Sequence, residues 1–296
     1  MIAVVVPTCR PDLYKKTFLP AWRDLFTKHD VALLTVFDHA DKEKIVLDVR
    51  TKDETCSVGI KDVMGKNIDL IYNRNASIKN VGFFYIATQM PEVEYIISLD
   101  DDVEPVGDSI QDHIDILNTR APISWMAVGD TYTRGFPYDV REEAEVVVSH
   151  GVWDNVPDLD APTQLVRGGH PMKFFKQPIP KGIYFPFCEM NIAFKRKVLP
   201  YMYLSPQDVE RGIERCDDIF CGINVKRKID EHGWAAVTGY STVYHTRASN
   251  VWSNLKKEAF FIELNETYWS GDESDPFFDI YNEKMKRWEA LCQESA

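Results

Sequence analysis

Three apolar, β-branched runs frame this chain: Ile2 to Val6, Val31 to Phe37, and Tyr95-Ile96-Ile97. Short runs of this kind read as strands buried on both faces. Between them Leu13 to Phe26 and Ala76 to Gln89 carry helical patterning, and Asp69 to Tyr72 is predicted as a further short strand. Strands alternating with helices predict an α/β fold, a mostly parallel sheet flanked by helices. Sheets of that class bind ligands outside the carboxyl ends of their strands. Pro7-Thr8, Asp38 and Asp100-Asp101-Asp102 all fall at such ends.

The aspartate triplet is the most demanding of these. At ~4 Å each like-charge contact costs about 4 kcal/mol at an effective dielectric of 20, so a cation is expected beside it. A hard divalent ion such as Mn²⁺ or Mg²⁺ suits oxygen ligands and completes its shell with water and phosphate oxygens. The alternative reading of three aspartates taken alone is a solvated acidic turn.

A formal net charge of -12 argues against a nucleic-acid partner or an anionic membrane surface. No apolar run approaches the roughly 20 residues of a membrane span, and the first residues lack the pattern of a signal peptide. Six cysteines without a C-x-x-C pair read as reduced thiols of a cytoplasmic protein. Neither G-x-G-x-x-G nor GxxxxGK[ST] is present. A flavin, dinucleotide or P-loop site is therefore not expected, which leaves a metal at the acidic strand end as the means of holding a diphosphate.

Beyond the triplet, Asp108 to Asn118 is predicted as a helix and Trp125 to Val128 as a strand. From Tyr132 to about Gly182 the chain is rich in Pro, Gly, Asp and aromatics without periodicity, as long functional segments often are. Regular structure returns at Ile183 to Phe194, with a helix from Asp217 to Glu231, a strand from Ala235 to Val237, and helices from Asn254 to Glu266 and Pro276 to Leu291. Asp217-Asp218 opens a helix, where carboxylates serve as caps or as reactive groups. His245, near a strand end, is a potential partner of a carboxylate-bound metal. Arg247, Lys256 and Lys257 are cations that could meet a diphosphate, and Arg134 and Arg141 carry the fixed charge that suits phosphate.

Read in order, Val5-Val6-Pro7-Thr8, the triplet, Arg134-Gly135-Phe136-Pro137 with Arg141, Ser149 to Trp153, Asn155 to Val166, Pro180-Lys181-Gly182, Met190 to Phe194, Arg215 with Asp217-Asp218, and Tyr244-His245 with Ala248 to Glu258 resemble the reversibly glycosylated polypeptides, also known as UDP-arabinopyranose mutases. The resemblance spans nearly the whole chain. It implies a GT-A-like fold, a Mn²⁺ or Mg²⁺ ion, no flavin, and a UDP- or GDP-linked sugar converted between pyranose and furanose forms through a reversibly glycosylated arginine.

On that footing the metal ligands are Asp100, Asp102 and His245, and the catalytic residues are Arg134 as sugar acceptor, Arg141 as a positioning or diphosphate-binding group, and Asp217 or Asp218 as proton acceptor. Pro7, Thr8, Arg10, Asp38, Lys79 and Asp101 would hold the nucleotide. His150, Trp153, Asn191, Arg247 and Lys256 would hold the sugar and diphosphate. Residues 1–296 form one catalytic domain: a nucleotide and metal half (1–105), a sugar-binding half (106–270) and a C-terminal helical extension (271–296). Homo-oligomers are expected as a possibility, and integral membrane contact is not. Asp154, Cys216 and Arg167-Gly168-Gly169-His170 depart from the family pattern and leave the sugar and nucleotide open. Two rival readings keep the same site: a metal-dependent glycosyltransferase with an external acceptor, and a non-catalytic partner subunit.

Overall fold

The computed structural model describes residues 1–126, 131–168, 172–246 and 249–294. Its centre is a mixed sheet in the order β4-β3-β2-β1-β5-β10-β8-β11-β6, with β7 paired to β8 and β9 to β11. The strands are β1 (Ile2–Thr8), β2 (Ala32–Phe37), β3 (Val46–Arg50), β4 (Thr55–Gly59), β5 (Tyr95–Leu99), β6 (Val103–Pro105), β7 (Arg120–Pro122), β8 (Glu143–Asn155), β9 (Gln177–Ile179), β10 (Asn191–Lys195) and β11 (Ala235–His245). The five that build the interior, β2, β1, β5, β8 and β11, all point the same way; β10 runs against them between β5 and β8.

Alternation along β1 divides its side chains between two apolar layers, as the two-residue period of a strand requires. Ala3 and Val5 face the layer that holds Phe83, Phe194 and Trp288, while Val4 and Val6 face the layer of Tyr14, Trp22 and Leu117. Gly82 lets the helix Asn80–Gln89 lie directly on this strand, because a Cβ there would strike Val5. The helix Pro276–Glu294 is packed into the first layer through Phe277, Phe278, Tyr281 and Trp288, whose indole donates to the Leu199 carbonyl. Among the described residues no helix is long and apolar enough to cross a membrane.

The structure differs from the sequence reading at five places. Ile183 to Met190 lie outside any helix or strand, so the regular structure expected from Ile183 begins only at Asn191. Asp69 to Tyr72 is not a strand; a 3₁₀ turn ends at Leu70. The β3–β4 hairpin has no counterpart among the expected strands, since its outer strand carries polar residues. The irregular segment contains the longest strand of the sheet, β8, whose Val146-Val147-Val148 core is buried between neighbours. Trp125 and Met126 lie outside any strand, and Val128 is outside the described residues.

Strand register fixes distances along the sheet. Val148 lies opposite Phe194, which lies opposite Ile96. From that level Asp100 is four residues toward the carboxyl end, and Glu143 is five residues toward the other. The two ends are therefore roughly 30 Å apart at about 3.3 Å per residue.

Candidate active site at the carboxyl end of the sheet

The aspartate triplet follows β5 and is met by cations from its own chain. Asp100 pairs with Lys79 at 2.8 Å. The Lys79 side chain is fully buried and also donates to the Glu189 carbonyl at 2.7 Å. Burial opposes the ammonium charge, but Asp100 and Glu189 outweigh it and hold the group above its usual range. Asp101 accepts from Thr8 Oγ1 at 2.6 Å and is clamped by Arg10, which reaches Asp102 at 3.1 Å as well. Arg10 comes to the triplet because β1 and β5 are parallel neighbours, and Lys79 because it ends the 3₁₀ turn leading into the helix Asn80–Gln89 that lies on β1.

Asp102 is the carboxylate left facing a second ligand. His245, at the end of β11, places Nε2 at 3.8 Å from Asp102 Oδ1. Its Nδ1 is 2.8 Å from the Val156 carbonyl, which makes Nδ1 the N–H donor and leaves Nε2 as a lone pair. A lone pair and a carboxylate oxygen facing each other across 3.8 Å fit a shared cation, and a carbonyl bonded to the far nitrogen is the usual way a ligand histidine is oriented. Burial and the charge of Asp100 raise the pKa of Asp102, which a bound cation would reverse. The donor set suits a divalent ion, with Asp102 and His245 as the facing pair. Asp100, expected as an equal ligand, is instead ion-paired to Lys79.

A second acidic group lines the same end. Asp158, Cys188 and Asp218 bring their ligand atoms within 4.8 Å of one another, the three-ligand group of this kind among the described residues. The Cys188 thiol donates to Asp158 Oδ2 at 2.9 Å. Burial raises the Cys188 thiol, and burial with the charge of Asp217 raises Asp218, so these two groups favour their protonated forms. Asp217, buried beside it, is committed to the Ser77 amide at 2.9 Å. Glu189 is fully buried, and neither carboxylate oxygen has a hydrogen-bond partner. The Ser98 hydroxyl donates to the Glu189 carbonyl instead. Burial pushes Glu189 up to about 7 despite the nearby Lys79. Sequence reasoning missed Asp158, Cys188 and Glu189 as a unit. Their one visible signal was a cysteine and a glutamate next to the Met190–Phe194 block.

Other expected contacts divide. Thr8, Arg10, Lys79 and Asp101 gather at the triplet, with Pro7 just before Thr8 in β1. Asp38 follows β2 beside them; its amide donates to the Thr8 carbonyl at 2.9 Å, and Arg74 N donates to its Oδ2 at 2.7 Å. Asn191 is committed inward: His113 meets its Oδ1 at 2.9 Å, and its amide donates to the Val152 carbonyl at 3.1 Å. His150 is buried against Thr238 Oγ1 at 2.9 Å and an aromatic shell, and burial brings it down to about 3. Both residues hold β8, β10 and β11 together, a core task that replaces the expected sugar contact. Trp153 stacks on Phe174. Lys256 is exposed on the helix Val251–Ser270, and Arg247 lies outside the described residues.

The arginine pair stands elsewhere. Arg141 donates to the Phe136 carbonyl at 2.9 Å and is sandwiched between Tyr132 and Tyr138, with ring distances of 4.4 and 3.8 Å. Arg134 is exposed in the tight turn whose Phe136 amide bonds the Thr133 carbonyl. This knot adjoins the start of β8, at the end of the sheet opposite the triplet; the start of β8 itself is roughly 30 Å from the triplet by strand register. The two halves expected to form one site therefore stand toward opposite ends of the sheet in this chain.

Comparison with known proteins bears on all of this. The family model described as reversibly glycosylated polypeptide matches residues 1–282. UDP-arabinopyranose mutase 3 of Arabidopsis thaliana is 32% identical over 93% of this chain and 76% of its own length. UDP-arabinopyranose mutase 2 of the same plant is 30% identical over 98% and 81%, and a probable UDP-arabinopyranose mutase 1 of Pisum sativum is 30% identical over 93% and 76%. An acidic strand end in a sheet flanked by helices, matched along nearly its whole length by one family model, leaves a single assignment: the chain belongs to the reversibly glycosylated polypeptide family, with its GT-A-like fold.

Proposed function

We propose that the chain is a nucleotide-sugar mutase that interconverts pyranose and furanose forms of a sugar that begins and ends the reaction nucleotide-linked. The names of its relatives support the reaction class. The observation that carries the reading is the pairing, at one sheet end, of a cation-ready couple, Asp102 with His245, and a close-set group of Asp158, Cys188 and Asp218. The substrate is a UDP-linked pentose such as arabinopyranose, or a UDP- or GDP-linked hexose.

A Mn²⁺ or Mg²⁺ ion held by Asp102 and His245 would offset charge on the leaving diphosphate. Arg10 and Lys79 keep the remaining carboxylates neutralised, so the phosphates are not repelled. The bond between the anomeric carbon and the bridging phosphate oxygen breaks, with its electron pair leaving on the diphosphate oxygen. A guanidinium nitrogen bonds to that carbon and gives its proton to a phosphate oxygen. Asp218 protonates the departing ring oxygen; as a carboxylate it then takes the proton of the hydroxyl that recloses the ring. Return of the diphosphate regenerates the arginine, and nothing is oxidised or reduced, so the reading needs no flavin.

The acceptor is assigned to Arg134, with Arg141 as its positioning neighbour. Because this knot lies far from its own chain's triplet, the acceptor is supplied by a neighbouring copy. Two inactive variants, Arg134→Ala and Asp102→Ala, then complement when mixed. With random assembly about a quarter of the sites regain both halves. Subunit exchange without recovered activity would sink the shared-site arrangement. The reaction itself is tested by incubating UDP-arabinopyranose or GDP-hexoses with Mn²⁺ and no acceptor, then reading ring form by NMR. Furanose product is expected; hydrolysis alone, with transfer once an acceptor is added, would establish the glycosyltransferase reading instead.

A further inference from the structure

Arg215 adopts a left-handed backbone with φ of 60°, just before the helix Asp217–His232. For a residue other than glycine this conformation costs roughly 1–2 kcal/mol. Such strain persists where surrounding contacts impose it, and it clusters at ligand clamps. Here the contacts are two crossed charge pairs to the helix Val251–Ser270: Glu214 with Lys257 at 3.1 Å, and Arg215 Nε with Glu258 Oε1 at 3.5 Å. Glu258 is itself buried, and its other oxygen accepts the Ala161 amide at 2.6 Å. That bond ties it to the turn following Asp158.

The strained turn therefore aims a guanidinium at the acidic end of the sheet, between the Asp158–Ala161 turn and the start of the helix bearing Asp217 and Asp218. Burial raises the Asp217 carboxyl, and the Arg215 charge is one of the contacts that oppose that rise. The Glu258 contact is made through Nε, so it uses none of the N–H groups on the two terminal nitrogens. Among the described residues, Lys79 is paired with Asp100, Arg10 with Asp101 and Asp102, and Lys257 with Glu214. Arg134 and Arg141 are at the opposite end of the sheet.

We propose that Arg215 is a substrate-binding residue whose terminal guanidinium nitrogens take the diphosphate of the nucleotide sugar, and that Glu258 is its positioning residue. This rests on the reading that a nucleotide sugar occupies the carboxyl end of the sheet. Planar paired donors match phosphate oxygens, and a guanidinium held by a buried carboxylate is preorganised for them.

Arg215→Gly separates binding from architecture, because glycine takes a positive φ without strain. Binding of UDP, GDP and uridine to wild type and variant is measured by calorimetry with Mn²⁺ present, and melting temperature is recorded alongside. The variant is expected to melt no lower than wild type, to bind the preferred nucleoside diphosphate at least tenfold more weakly, and to bind uridine unchanged if UDP is preferred. Arg215→Lys should recover part of the loss. Diphosphate affinity within twofold of wild type, or an equal loss for uridine and UDP, would overturn the assignment. Wild type that binds neither diphosphate overturns it together with the functional reading. Wild type that binds one but forms no furanose refutes the mutase while leaving Arg215 to be decided by its own variant.

Discussion

Replacing Glu189 by glutamine tests the electrostatics of the site without touching the triplet. Glu189 is 1% exposed and its carboxyl sits at about 7 against a reference of 4.5. The folded state thus holds this proton more tightly than the unfolded chain. The sign follows: the group costs nothing below about pH 4.5, an increasing amount as pH rises toward 7, and a constant amount above. About 2.5 units at 1.36 kcal/mol each is on the order of 3 kcal/mol, a figure that already contains the pull of Lys79. Glutamine mimics the protonated form, so Glu189→Gln should match wild type near pH 5 and exceed it by up to ~3 kcal/mol near pH 8. His113 and His150, brought down to about 4 and about 3 by burial, work in the opposite direction. They lose stability as pH falls below the unfolded histidine value, so the raw curve of either protein is uninformative and the difference between the two is the readout. Urea denaturation of both proteins across this range, with chelator present, supplies that difference. A gap that stays constant with pH would refute the reasoning, since it would mean that Glu189 titrates alike in folded and unfolded chains.

Other changes follow from the same geometry. His245→Ala removes the lone pair facing Asp102 and should weaken Mn²⁺ binding, followed by electron paramagnetic resonance, by more than about tenfold. Asp218→Asn removes the proton carrier; kcat for furanose formation should fall by about 10²–10⁴, with UDP affinity preserved. Gly151→Ala drives a methyl into the Asn191 side chain between β8 and β10, and thermal or urea unfolding should register a loss of about 1–3 kcal/mol. With all six cysteines as free thiols, a thiol reagent should modify exposed Cys9 at once and leave buried Cys216 and Cys221 unreacted until the protein unfolds, as peptide mapping would show.

What sequence revealed was whatever depends on neighbours along the chain. The β1, β2 and β5 runs, the helix opening at Asp217 and the acidic strand end are local patterns, and each is found close to its expected place. What it concealed depends on pairing across the sheet. β8 was lost among prolines and aromatics because its Val146 to Val148 run is short, and because it is held on both sides by strands distant in sequence. Asn191 and His150 looked like site residues because polar groups in apolar blocks do. Only the register shows that they satisfy one another's elements within the core. The triplet shows the same limit at the level of charge. Three adjacent carboxylates require positive charge, and sequence alone offers a metal as the nearest source. The fold supplies two cations first: Lys79, entering fully buried ahead of the helix Asn80–Gln89, and Arg10, following the parallel neighbour of β5. Two protein cations against three aspartates leave one carboxylate short. Arg10 is shared between Asp101 and Asp102, so the shortfall falls on Asp102, the aspartate that also faces a histidine lone pair. A divalent ion placed there would overbalance the triplet by about one charge, and a diphosphate is the ligand that such an excess would draw.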